Sequence, residues 1–74
     1  MIKLRINELC EQNNVNMSQL QRGTGLTLGL VRRYWKNEVD SVSLEALETI
    51  LTFLKKQNSS IQFLDLFALT GLVD

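Results

Sequence analysis

Apolar residues recur along the chain every three or four positions, the spacing that places side chains on one face of a helix. This spacing predicts a first helix through Ile2, Ile6 and Leu9, and a fifth helix over residues 61–69. Strands have little support, because no run of β-branched residues alternates with polar ones. The pattern therefore predicts a single all-α domain over residues 1–74, a compact bundle of about five short helices.

The fourth helix is predicted to start after Ser43, a residue type that caps helix N-termini. Its apolar side chains share one face. They are Leu44, Leu47, Ile50, Leu51 and Leu54. Glu45 lies near the positive end of the helix dipole, and Lys55 and Lys56 lie near its negative end. The cap, the apolar face and the charges thus all indicate the same helix.

The segment from residue 16 carries the signals of another helix start. Asn16 followed three residues later by Gln19 is a capping-box pattern, in which each side chain bonds the backbone amide of the other residue. Val15 and Leu20 fit the hydrophobic staple that flanks such a cap. The second helix is therefore predicted over Met17–Thr24.

A tight turn is predicted after this second helix. Gly25 can adopt the left-handed backbone conformation that ends a helix, and Thr27 is an N-cap residue. The third helix is predicted over residues 28–37. The chain therefore places two short helices and a turn between residues 16 and 37.

The third helix is predicted to have one cationic face and one apolar face. At about 100° per residue, its cations fall in one arc and its core residues in the opposite arc. The cationic arc holds Gly29, Arg32, Arg33 and Lys36, and the apolar arc holds Leu30, Val31 and Tyr34. Such a helix can enter the major groove of DNA, where arginine pairs with O6 and N7 of guanine. Arg33 is the first candidate for this contact, whereas Trp35, between the two faces, is expected to pack.

Gly29 lies in the middle of the cationic arc and allows two interpretations. It costs the helix about 1 kcal/mol relative to alanine. The missing side chain can let the helix approach a base edge closely, or the glycine can be neutral drift. The sequence does not decide between these two interpretations.

The chain is neutral overall, but its charges are unevenly placed. Residues 1–37 carry a net charge of +4, and residues 38–74 carry a net charge of −4. The asymmetry favours one surface that attracts a polyanion, although solvated charge on helices is an equal alternative.

The cysteine and histidine content excludes several classes of small protein. Cys10 is the single cysteine and the chain has no histidine, so an internal disulfide and the usual zinc ligand sets are excluded. The thiol of Cys10 is expected to be buried. It is also expected to be inert, because no histidine can activate it. We expect no enzyme activity, metal, cofactor or small-molecule ligand. No membrane span or targeting segment is expected either, which indicates a cytoplasmic protein.

Two short helices joined by a glycine turn, with the basic face on the second, resemble the helix-turn-helix of the lambda repressor and Cro-like family. The residues that carry the similarity are 15–20, 24–27, 31 and 43–50, with a weaker echo at 64–67. The resemblance covers about residues 2–54. It implies a lambda repressor-like DNA-binding domain, which acts as a transcriptional regulator and often binds two half-sites as a dimer.

The resemblance also implies a set of DNA-binding residues. Those at the start of the second helix would contact phosphate, those on the third helix would read bases, and those after it would meet the backbone. In chain order they are Asn16, Met17, Thr27, Leu28, Gly29, Arg32, Arg33, Lys36 and Asn37. Three of these depart from the family pattern. Met17 replaces a common glutamine, and neither Leu28 nor Gly29 has a side chain that can hydrogen-bond a base. Leu28 could still contact a thymine methyl group.

The fifth helix is predicted to be more apolar than one buried face requires. Seven of the nine residues 61–69 are apolar, and one face of a surface helix buries about half of such a set. Phe63, Leu66 and Leu69 would then form an exposed stripe. Such a stripe predicts a homodimer or a partner-protein groove. The alternative is that the tail folds back over the stripe.

Two functions therefore remain open. The first is a sequence-specific regulator that binds double-stranded DNA through the third helix. The alternative is a helix-turn-helix scaffold used as a protein-protein interaction module, with weak or no DNA binding. The neutral charge, Met17, Leu28 and Gly29 favour this alternative.

Overall fold

A computed structural model describes residues 2–36 and 38–68, and most of these residues are helical. There are four α-helices in the described part: α1 (Ile6–Gln12), α2 (Met17–Thr24), α3 (Leu28–Trp35) and α4 (Leu44–Gln57). Two short strands, β1 (Ile2–Lys3) and β2 (Glu38–Val39), and a 3₁₀ turn (Phe63–Leu66) complete it. The all-α class is confirmed, with four α-helices instead of five.

The first helix starts later than the apolar spacing predicts. Ile2 pairs with Val39 in a two-stranded antiparallel ladder, and α1 begins only at Ile6. Burial alternates here, with Lys3 exposed and Leu4 buried, which is the period of a strand. A strand of two residues is too short to show that period in the sequence. The prediction that Ile2 lies on the first helix is therefore wrong.

The predicted fifth helix is a short 3₁₀ turn followed by extended chain. Phe67 has φ −105° and ψ 143°, and it forms an isolated bridge with Leu4. The Arg5 amide donates to the Leu66 carbonyl at 2.7 Å, and the Ala68 amide donates to the Lys3 carbonyl at 3.0 Å. This pairing stops the helix, because the Leu66 carbonyl and the Ala68 amide bond to the start of the chain instead of to helical partners.

The signals that predict α2 are confirmed in detail. The Gln19 amide donates to Asn16 Oδ1 at 2.8 Å, and the Asn16 amide donates to Gln19 Oε1 at 2.9 Å. Val15 and Leu20 of the predicted staple are both buried. The helix ends at Thr24, as predicted, because Gly25 adopts a left-handed conformation with φ +73°.

The turn between α2 and α3 is held by side chains as well as by Gly25. Gln21 donates a hydrogen bond from Nε2 to the Leu26 carbonyl at 2.9 Å. Thr27 then caps α3, since its hydroxyl accepts from the Leu30 amide at 3.3 Å. These bonds fix the direction in which α3 leaves α2.

Close packing of α2 on α4 explains the glycine inside α2. The position that a Cβ atom of Gly23 would occupy overlaps the ring of Phe53. Glycine in a helix interior costs stability, and here it allows the aromatic ring to lie directly on the backbone of α2.

The core lies between α4 and the first three helices. Its fully buried members of largest volume are Ile6, Leu20, Leu47, Ile50, Leu54, Leu66, Val31 and Cys10. Leu44, predicted on the apolar face of α4, is the first residue of the helix and is 60% exposed. Ser43 caps α4 as predicted, and its own amide donates to the Tyr34 hydroxyl at 2.8 Å. No helix in residues 2–36 and 38–68 is long and apolar enough to cross a membrane.

Candidate nucleic-acid interface

The two faces of α3 separate as the sequence predicts. Val31 and Tyr34 are buried, at 0% and 3% exposure, and anchor the helix to the core. The three cations on the opposite side, Arg32, Arg33 and Lys36, are all exposed. The anchored helix therefore presents a fixed basic surface, called here the α3 basic face, made of these three residues.

The cations of the α3 basic face have no bonding partner in the part of the domain that the structure describes. Their side chains form no hydrogen bond or ion pair with any residue that the structure describes. The Arg5 guanidinium, in contrast, pairs with the Glu8 carboxylate at 3.1 Å on α1. Guanidinium and ammonium groups without a protein partner can bind phosphate oxygens or base edges.

The first turn of α3 lies beside this basic face. Thr27 and Gly29 are exposed, and Leu28, with its large apolar side chain, is 46% exposed. A Cβ atom built on Gly29 meets nothing within 4 Å. Internal packing therefore gives no reason for a glycine at this position.

Replacing Gly29 by alanine is expected to stabilise the domain by about 0.5 to 1 kcal/mol, because alanine restricts the unfolded chain and fits the open space. The same change at Gly25 should destabilise it by about 1 kcal/mol, since φ there is +73°. Urea unfolding of both variants measures the two effects. A loss of stability in Gly29→Ala would contradict the structure.

At the start of α2, the cap satisfies one backbone amide and leaves two without a partner among the described residues. Asn16 is exposed, but its side-chain oxygen already accepts from the Gln19 amide in the cap. Met17 is half-buried and packs against the core. The first amides of a helix have no intrahelical partner, so those of Met17 and Ser18 are the ones that could bind a phosphate.

Three further predictions concern residues near the end of α3. Trp35 is half-buried against the core, so it packs as predicted. Lys36 is the C-cap residue of α3 and is exposed. Asn37, predicted to meet the DNA backbone, lies outside the described residues.

The predicted exposed stripe of the C-terminal segment is not formed as expected. Leu66 is completely buried, because the 3₁₀ turn rotates it into the core. Phe63 is half-buried and contacts Phe67 edge to face, with ring centroids 5.5 Å apart. Leu64 is instead 66% exposed. Leu69 lies outside the described residues.

Catalytic and metal chemistry gain no support from the described side chains. Among residues 2–36 and 38–68, no three acidic, cysteine or histidine side chains cluster as metal ligands would. Cys10 is fully buried, as predicted. Burial, with a smaller contribution from the charge of Glu11, raises the pKa of its thiol to about 12.

This shift in pKa predicts that the domain loses stability in alkali. The folded state keeps the Cys10 proton above pH 9.0, the ordinary thiol value, whereas the unfolded state loses it. The contribution of the protonated Cys10 thiol to the free energy of unfolding is therefore complete below about pH 9. It declines as pH rises towards 12, by up to about 1.4 kcal/mol per pH unit. Urea unfolding from pH 8 to 11 measures it. Cys10→Ala should show a shallower decline, and parallel profiles would contradict the prediction.

Comparison with known proteins agrees with the geometry of α2 and α3. The family model of the Cro/C1-type helix-turn-helix DNA-binding domain matches residues 5–68, which is most of the chain. Among curated proteins and among solved structures, no match to this chain was found. The matched region contains α1 to α4, the turn at Gly25 and the α3 basic face. The chain therefore belongs to the Cro/C1-type helix-turn-helix family of DNA-binding domains.

Proposed function

We propose that this protein is a sequence-specific regulator of transcription that reads the major groove of double-stranded DNA with α3. The observation that carries the proposal is the α3 basic face, which is exposed while the opposite side of the same helix is buried. A helix fixed in this way can hold guanidinium groups at base edges without a large loss of conformational entropy.

Each element has a separate role in the proposed complex. Arg33 and Arg32 reach bases in the groove, and Lys36 neutralises the backbone. The first amides of α2, next to the Asn16 cap, rest on a phosphate. Phosphate contacts of this kind fix the register of α3 but do not themselves select a sequence.

We also propose that two copies bind two half-sites about one helical turn apart. The sequence predicts that residues 61–69 form the contact between the two copies. Leu66 is in the core and cannot contribute, whereas the exposed Leu64 supports a contact with a second copy or a partner protein. Sedimentation of the protein with and without a two-half-site duplex tests this assembly.

Selection of duplexes from a random pool in 100 mM salt tests the DNA proposal. We expect one enriched sequence, and we expect its binding to strengthen as the salt concentration falls, because protein cations displace condensed counterions. Failure to bind any duplex, together with a stable complex with another protein, would instead identify the protein-protein interaction module.

A further inference from the structure

An apolar side chain stands at the end of the α3 basic face. Leu28 is the first residue of α3 and is 46% exposed. Gly29 follows it and has open space where a side chain would be. Arg32 lies one helical turn further on the same side. Leu28 is therefore an exposed apolar contact within a polyanion-binding surface.

We propose that Leu28 recognises the C5-methyl group of a pyrimidine in the major groove. This inference rests on the proposed function and specifies the DNA that the site prefers. Thymine displays a methyl group in the major groove, and 5-methylcytosine carries the same group at the same ring position. Leucine has no hydrogen-bonding side-chain atom, so apolar contact is the readout that it offers a base.

The surroundings of Leu28 favour a base methyl group over another apolar surface. Arg32 lies one turn away, Arg33 and Lys36 lie further along α3, and these exposed cations attract the nucleic acid backbone. The missing side chain of Gly29 lets the first turn of α3 come close to the base edges. The inference thus gives Leu28 and Gly29, the two departures from the family pattern on α3, a single role in contacting a base.

The helix geometry also places the methyl group relative to the arginine contact. Residues four apart are separated by about 6 Å along a helix axis. This corresponds to about two base steps of 3.4 Å along a strand. With α3 lying along the groove, the methylated pyrimidine falls within about two base pairs of the guanine that Arg32 contacts.

Methyl groups can be added and removed one at a time to test this inference. Starting from the selected duplex, each thymine in turn is replaced by uracil, and each cytosine by 5-methylcytosine. We expect one thymine at which uracil weakens wild-type binding about fourfold, the effect of burying one methyl group. When the T·A pair at that position is changed to C·G, 5-methylcytosine should bind about fourfold more tightly than cytosine. The uracil series identifies thymine as the source of the methyl group, and the cytosine series identifies 5-methylcytosine.

Two leucine variants show whether the methyl preference comes from Leu28 or from a property of the DNA itself. Leu28→Ala should bring the thymine-to-uracil ratio close to one. Leu44→Ala is the matched control, because Leu44 is also an exposed first helical residue after a cap, but on α4. It should keep the wild-type ratio, and circular dichroism should show both variants folded.

Two results would overturn the inference while leaving the proposed function intact. One is a selected duplex in which no single methyl change alters binding. The other is a methyl preference that persists in Leu28→Ala. If the wild-type protein selects no duplex at all, the proposed function itself fails, and the methyl inference fails with it.

Discussion

Replacing Leu66 by alanine should lower the free energy of unfolding by about 2 to 5 kcal/mol. The side chain is completely buried, so the change removes apolar contacts and leaves a cavity in the core. A domain of this length is stabilised by only about 4 to 11 kcal/mol in total. Urea denaturation followed by circular dichroism measures the difference, and Leu66→Val gives a smaller cavity if the alanine variant is too unstable to fold.

Leu64 provides the matched control for this prediction. It lies in the same 3₁₀ turn but is 66% exposed, so Leu64→Ala should change stability by less than about 0.5 kcal/mol. The pair also tests the register of the C-terminal segment. If Leu66 were part of an exposed helical stripe, Leu64 would lie almost opposite it, on the buried face of the helix. Leu64→Ala would then be the more destabilising of the two variants, and the 3₁₀ turn would be wrong.

Replacing Arg33 by alanine should weaken binding to the selected duplex by about 1 to 3 kcal/mol and relax its base preference. The guanidinium is exposed on the α3 basic face and can form two hydrogen bonds to guanine, neither of which alanine replaces. Fluorescence anisotropy with the selected duplex and with random DNA measures both effects. Since Arg33 makes no core contact, its removal should leave the fold intact.

Lys36→Ala is the comparison for Arg33→Ala, because it removes charge from the same face without removing a base contact. It should weaken selected and random DNA alike and lower the slope of log affinity against log salt by about one unit. Equal losses on both kinds of DNA from both variants would remove the separate roles assigned to Arg33 and Lys36.

Sequence reasoning predicts α2, the turn and α3 well because their determinants are local. The Asn16 cap, the Gly25 conformation and the Thr27 cap each depend on residues within four positions of one another. The same holds for the exposure of Arg33, since the helix period alone puts it opposite the buried Val31.

The two ends of the domain are less predictable because long-range pairing determines them. Ile2 pairs with Val39, and Lys3 bonds to Ala68, so the partners are far apart along the chain. These bonds override the helical spacing of the apolar residues. The packing of Gly23 on Phe53 is hidden for the same reason, since these two residues also lie far apart along the chain.

The open position at Gly29 lies outside the contacts that keep the domain folded. A Cβ atom introduced there meets nothing within 4 Å, so a side chain at this position can extend into solvent beside the exposed cations of α3. In the complex that we propose, a single codon change here is expected to retarget the protein to another operator while the scaffold is conserved. Diversification of a small regulator through such a site would need no compensating mutation elsewhere.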